Sequence, residues 1–444
     1  MKFLAILQDS FREAVDSKVF SVMLVLAVLL VLAIGSASFE PQPVAEVQQQ
    51  LEFSLNRDLA ELGKQAPRSL KIVGAEPLKG AQDKPESEFE FAIQVRFADQ
   101  ETAEDARSSP GPIHDYIAQR FGMVDDWQML ATAEVRLASP ENRFVPSSPD
   151  ARDIYCSVFT RPTNLTLRMW PHHSTLLFGA VPLSATMMSL TIPGLEVKEV
   201  PSLGAQIWLL EDYLVGGLGA WVAILVSIII TAFFIPNMIR RGGVDLMLVK
   251  PIRRPALLIY KYIGGLVFIF LNATVAIGGV WLVLGLRSGV WAPHFLLVIP
   301  VITFFFAILY AVSTLFAVWS RSAIVAILMT FLIWGVLYAV GRTYYAVEAA
   351  RREGTLPRVS KDSRQPQEWW VSAISAAHFI LPRTKDLDYL TTRLLTTDLL
   401  PPTLVRELPE SSATFNWTET LTVSGVFIAL MLALASWRFA TRDY

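Results

Sequence analysis

The chain has 444 residues, 53% of them hydrophobic and 18% charged, with 26 Phe, 12 Trp and a formal net charge of −2. A mean hydropathy of +0.42 sets it with integral membrane proteins and excludes an ordinary globular enzyme of this length. A single cysteine, Cys156, excludes an internal disulfide and any cysteine-built metal cluster.

Residues 1–18 open the chain with an amphipathic pattern. Phe3, Leu7, Phe11 and Ala14 share one helical face, while Asp9, Arg12, Glu13 and Asp16 fall elsewhere. Such a helix lies in a membrane interface. Residues 19–38 then form the first of six apolar runs long enough to cross a bilayer, which takes about 20 residues. The run is longer than a secretory signal core and its flank is not strongly basic, so it reads as a retained helix.

Residues 39–213 have the size and patterning of an inserted β-rich (α+β) domain. VQQQLEFSLNRDLAELGK reads as a helix. FEFAIQVRF sets Phe89, Phe91, Ile93, Val95 and Phe97 on one face at period 2, a half-buried strand. ATAEVRL, DIYCSVF, NLTLRMW and MMSLTI are further strand candidates, separated by turn signals at SSPGP, SPEN and VPSSPD. Cys156 sits in one of these strands and reads as a small buried hydrophobe. His172 and His173 are adjacent, so a strand would point them to opposite faces, which argues against a shared metal.

The remaining spans are predicted at 214–236, 262–286, 295–318, 323–341 and 421–437. None carries Asp, Glu, Lys or Arg in its interior. Polar groups there that could line a path are Asn272, Thr274, Ser313 and Thr314, although a hydrogen bond between helices is the commoner use of such groups. A proton- or ion-coupled transporter places ionisable residues within its spans, so any transport here must draw its energy from elsewhere. The glycines Gly216, Gly219, Gly264 and Gly265 read as close helix-packing sites. No phosphate-binding loop, nucleophile elbow or metalloprotease motif is present.

The segment NMIRRGGVDLMLVKPIRRPALLIYKY, residues 237–262, separates the second and third spans. It carries Arg240, Arg241, Lys250, Arg253, Arg254 and Lys261 against one acid, Asp245. Short loops this basic stay in the cytoplasm. With six spans both termini then share that side, as do Arg321 in the turn WSRS and Arg438 in the tail 438–444. Residues 342–420 fall outside, with ten Lys/Arg and ten Asp/Glu, and read as short helices and loops capping the outer mouth. Within the basic segment, Gly242–Gly243 makes a turn, a short helix follows with Asp245 near its N-terminus, and Pro251 ends it. Charges alone would mark topology; the order turn, helix, proline is that of a projecting helical finger.

FREAVDSKVF ahead of the first span, IRRGGVDLMLVKPIRRPALLIYKYIGG after the second and the terminal FATRDY together resemble ABC-2 type permeases. The resemblance covers the membrane part, well over half the chain. It implies a subunit without ATPase activity that binds a separate ABC-type ATPase, where ATP and Mg would be held, and no cofactor on this chain. It implies a homodimer or heterodimer in the cytoplasmic membrane, among lipid and without nucleic acid. It makes residues 2–17 an interfacial elbow helix and Gly243 to Pro251 a coupling helix, with Arg240, Arg241, Asp245 and Lys250 at the ATPase contact and Leu246, Met247 and Leu248 filling a groove on the ATPase. The alternative is a membrane scaffold or sensor whose exterior domain binds an envelope partner; six spans exceed what an anchor needs.

Overall fold

The computed structural model describes residues 18–56, 59–78, 87–124, 127–128, 131–162, 166–176, 181–182, 201–215, 218–239, 254–352, 369–400 and 416–441. Residues 1–17 and 240–253, which hold the predicted elbow and coupling helices, lie outside them, as do the predicted strand MMSLTI and the tail 442–444.

Chain order begins with α1 (Lys18–Gly35), β1 (Ser38–Pro41) and α2 (Val44–Asn56). An α+β module follows, built on a four-stranded antiparallel sheet of β2 (Ser69–Pro77), β3 (Phe89–Arg96), β6 (Ala131–Leu137) and β7 (Asp153–Pro162), in the order β2-β3-β7-β6. The period-2 apolar residues of β3 and β7 face one side, where α2, α3 (Gln100–Ser108) and α4 (Gly111–Gly122) cover them. Phe91, Ile93, Val95, Cys156 and Val158 form the centre of this core. The α3 start is fixed by Asp99, whose Oδ1 accepts from the Thr102 amide at 2.8 Å. A short hairpin of β4 (Met123–Val124) and β5 (Trp127–Gln128) precedes β6.

Three predicted strands, in FEFAIQVRF, ATAEVRL and DIYCSVF, are present. A fourth is not: within NLTLRMW, residues Thr166–Met169 form a single helical turn, α5. Alternation over so few residues does not separate a strand from one turn of helix. The indole of Trp170 decides it, donating to the Gln42 carbonyl at 2.9 Å and turning the chain into the core. The strand β8 (His172–Leu176) then pairs with β1 on one side and β9 (Val181–Pro182) on the other.

Four helices among the described residues are long and apolar enough to cross a membrane: Arg254–Ser288, Pro293–Ser320, Ala323–Arg352 and Trp417–Thr441. The second opens with a 3-10 turn, Pro293–Leu297. Before them the chain forms α6 (Leu203–Val215), α7 (Leu218–Thr231) and α8 (Phe234–Ile239), where a continuous span at 214–236 was expected. The break at 232–233 has a local cause. Pro236 has no amide hydrogen for the Ala232 carbonyl four residues back and its ring crowds that carbonyl. The helix α9 (Arg254–Ser288) starts eight residues before the predicted boundary, with Pro255 in the first turn, where a missing amide hydrogen leaves nothing unsatisfied. After it come α10 (Val298–Ser320), α11 (Ala323–Arg352), α12 (Trp369–Ile380), α13 (Thr384–Leu399) and α14 (Trp417–Thr441).

Helix contacts use the glycines as spacers. A Cβ on Gly265 would stand 2.6 Å from the Tyr310 ring, and one on Gly279 the same distance from Val31. These two positions set how closely α9 approaches α10 and α1.

Candidate functional site

The basic segment is bounded by α8 on one side and α9 on the other, and the two meet in one apolar cluster. Ile235 of α8 packs with Leu257 and Leu258 of α9, Leu315 and Val318 of α10, Ala326 of α11 and Ala435 and Phe439 of α14. One pole of the bundle thus gathers both feet of the basic segment, the α10–α11 turn and the end of the last helix. The turn carries Arg321 at φ 56°, the left-handed conformation of a helix C-cap, its amide donating to the Ala317 carbonyl at 2.9 Å. Arg438 lies over the Trp319 ring at 6.0 Å. Arg254, Arg321 and Arg438 therefore share the pole predicted to be basic. Arg240, Arg241, Gly243, Asp245, Leu246, Met247, Leu248, Lys250 and Pro251 lie outside the described residues.

The polar residues of the spans do not gather. Tyr262 stacks on Tyr310 at 5.1 Å and donates to the Ala307 carbonyl at 2.8 Å, which fixes the antiparallel register of α9 on α10. That register puts Asn272 beside residues 297–300, on the order of 20 Å along the axis from Ser313 and Thr314 at 1.5 Å per residue. Asn272 donates to the Phe268 carbonyl of its own helix, and its Oδ1 is buried with no hydrogen-bond partner among the described residues. Thr274 is exposed and donates to the Phe270 carbonyl. Ser313 and Thr314 are buried, and their hydroxyls have no partner among the described residues. The Tyr310 hydroxyl is in the same condition, a buried polar group carried on an aromatic ring.

The opposite pole holds buried acids. Asp386 at the start of α13 accepts from the Tyr345 hydroxyl of α11 and the Thr420 hydroxyl of α14, each at 2.6 Å. Arg383 donates to Glu419 at 2.9 Å, and His378 of α12 lies flat on the Tyr344 ring at 3.8 Å. These contacts bind residues from the predicted outer cap to the ends of two long helices. Burial holds the His378 imidazole below its ordinary range.

Near this pole, α6 is sunk in a core with Ile34, Val280, Leu284, Phe295, Leu395 and Leu399. The sequence placed 203–213 in the inserted domain; packing places it against the bundle. Gln206 fastens it to the module, accepting from the Ser174 hydroxyl and donating to the carbonyls of His172 and Pro201. Glu211 is 1% exposed, and its Oε2 has no hydrogen-bond partner among the described residues. Burial, with a smaller contribution from the Asp398 charge, raises its carboxyl well above the carboxylate range. Along the sequence Glu211 and Asp212 stand just ahead of the apolar run 214–236 and so read as the edge of the inserted domain.

His172 and His173 do point to opposite faces. His172 is buried against the Trp170 carbonyl at 2.8 Å, and His173 is exposed, 3.5 Å from Glu46. Cys156 is buried in the module core, and burial pushes its thiol up to about 12, away from the thiolate.

Residues 4–444 match the family model described as ABC-2 family transporter protein, and the chain belongs to that family. It is a membrane transport component, and proteins of this family work with an ABC-type ATPase. No curated protein and no solved structure matches the chain.

Proposed function

We propose that this chain is the permease subunit of an ABC-2 type transporter and exports its substrate across the cytoplasmic membrane, driven by ATP hydrolysis on a separate ATPase subunit that holds ATP and Mg. In this reading α1 and the broken α7–α8 pair cross the membrane with the four long helices, making six spans. Both termini lie in the cytoplasm, the α+β module lies outside, and two permease subunits, identical or different, form the working unit.

One observation carries the coupling role. Both feet of the basic segment share a packed cluster with α10, α11 and α14, so a displacement of residues 240–253 is passed to the bundle and not absorbed locally. Packed interiors transmit strain because they contain few voids. Arg240, Arg241, Asp245 and Lys250 are the groups proposed to meet the ATPase, with Leu246, Met247 and Leu248 filling its groove.

Two measurements test this. A P-loop ATPase should co-purify with the full-length protein from its native membrane. In reconstituted complexes, Gly243→Pro and Leu246→Asp should uncouple ATPase turnover from transport while membrane insertion is retained. Coupling that survives both substitutions removes the loop from the mechanism.

A further inference from the structure

The contact of α6 with α13 brings two backbones together. A Cβ on Gly204 would collide with the Leu399 carbonyl and lie 2.8 Å from the Arg168 side chain. Glu211 follows Gly204 by seven residues, two helical turns, so it falls on the same face. Its carboxyl therefore points toward α13.

Among the described residues, burial and the Asp398 charge are what act on Glu211, and no cation does; the Nε of the nearby Arg168 is itself buried with no partner among the described residues. From α13, Asp398 acts on Glu211 and is negative. Its carboxylate is held by His294, through the amide at 2.9 Å and Nδ1 at 2.7 Å. Arg168 of α5 reaches the Asp398 carbonyl. His172 of β8 is turned to the Trp170 carbonyl and Arg287 of α9 to the Ala37 carbonyl. An ionised Glu211 would thus be a buried charge with a like charge nearby, an arrangement that proteins avoid by keeping the proton.

We propose that Glu211 is a proton-binding site in the joint between the α+β module and the helical bundle: its carboxyl holds a proton while α6 lies packed on α13, and releases it to water when the two helices part. The helix α6 is the one described segment that is bolted to β8 through Gln206 at one end and leads into α7 at the other. One proton per chain therefore marks whether the module and the bundle are locked together. The closed joint is favoured at low pH and loosens as pH rises. None of this depends on an ATPase partner.

The test uses the full chain in lipid nanodiscs. Infrared difference spectra of wild type against Glu211→Gln at neutral pH should show a protonated carboxyl band that the variant lacks, and Glu211→Asp should keep such a band at a shifted position. Melting curves should show wild type losing stability as pH rises above the ordinary carboxylate value, while Glu211→Gln, which is permanently neutral, loses that dependence. If Glu211→Gln does not fold, Asp398→Asn serves instead: without the neighbouring charge the loss with rising pH should be smaller than in wild type. Absence of the band, or curves for wild type and variant that coincide at every pH above the ordinary carboxylate value, overturns the proposal.

Discussion

Two buried acids show how differently the module and the joint are built. Asp153, 3% exposed at the start of β7, accepts from Arg96 at 2.8 Å through both Nε and Nη2 and from Gln94 at 2.5 Å. Glu211, 1% exposed on α6, has an oxygen with no donor among the described residues. The first acid is charged and answered on every side. The second stays buried only as long as it is neutral. An acid with both oxygens answered holds its surroundings in one arrangement, whereas a buried carboxyl with an unanswered oxygen marks a contact whose free energy changes with its surroundings.

The comparison can be broken most forcefully in the module itself. Phe97, 1% exposed, closes the core under β3. Phe97→Ala should destabilise the module by about 3–5 kcal/mol, because it removes a large ring from a fully buried site. Limited proteolysis of the full-length protein should then cut within the module first and leave the long helices intact. Simultaneous cleavage of both regions would show that they unfold as one unit.

In the bundle, Gly265→Val should cost about 1–3 kcal/mol, because the new side chain must displace Tyr310 from its stack on Tyr262. Thermal melting in detergent reads this directly, and the module should keep its protease resistance.

The pH response sharpens the contrast between the two acids. Hydrogen bonding from Arg96 holds the Asp153 carboxyl below the ordinary aspartate value. Its folded-state pKa is depressed, so its contribution is present above the unfolded value and is lost as pH falls through the folded one. Glu211 has the opposite sign: its folded-state pKa is raised, and its contribution is lost as pH rises. The module should therefore weaken as pH falls below the ordinary aspartate value, and the joint as pH rises above the ordinary glutamate value. Asp153→Asn should remove the acid limb at a cost of about 1–2 kcal/mol near neutral pH, modest because the Arg96 side chain is half exposed. Melting curves from acid to alkali check both limbs.

The same two regions differ in how far the sequence discloses them. In the module, period-2 runs mark β3, β6 and β7 because alternate apolar residues turn toward the core, buried in β3 and β7 and partly buried at Ala133 and Val135 of β6. The strand β2 escapes notice: a bulge between Ile72 and Gly74 shifts its register and breaks the alternation. In the bundle, hydropathy finds the long apolar runs, yet it cannot tell a straight span from one interrupted at Pro236. The buried state of Glu211 is invisible along the chain because the elements packed around α6 lie far from it in sequence, α13 nearly two hundred residues away. The basic pole is the reverse case. Its charges are legible as topology, and the structure adds that the feet of the segment are packed together.

The smallest effects should come from the hydroxyls of the bundle, and they separate two kinds of polar residue there. Thr274 is exposed and hydrogen-bonded to its own helix, so Thr274→Val should change stability by less than about 0.5 kcal/mol. Thr314 is fully buried with an unanswered hydroxyl. Valine has nearly its shape without the oxygen, so Thr314→Val should be neutral or stabilise the protein by up to about 1 kcal/mol, since it removes an unmet polar group. If Thr314→Val instead lowers transport while the melting temperature holds or rises, the hydroxyl serves the substrate path and its lack of a partner reflects use rather than cost. Equal transport in wild type and variant would make it a packing residue, and the basic pole would stand as the more informative half of the bundle.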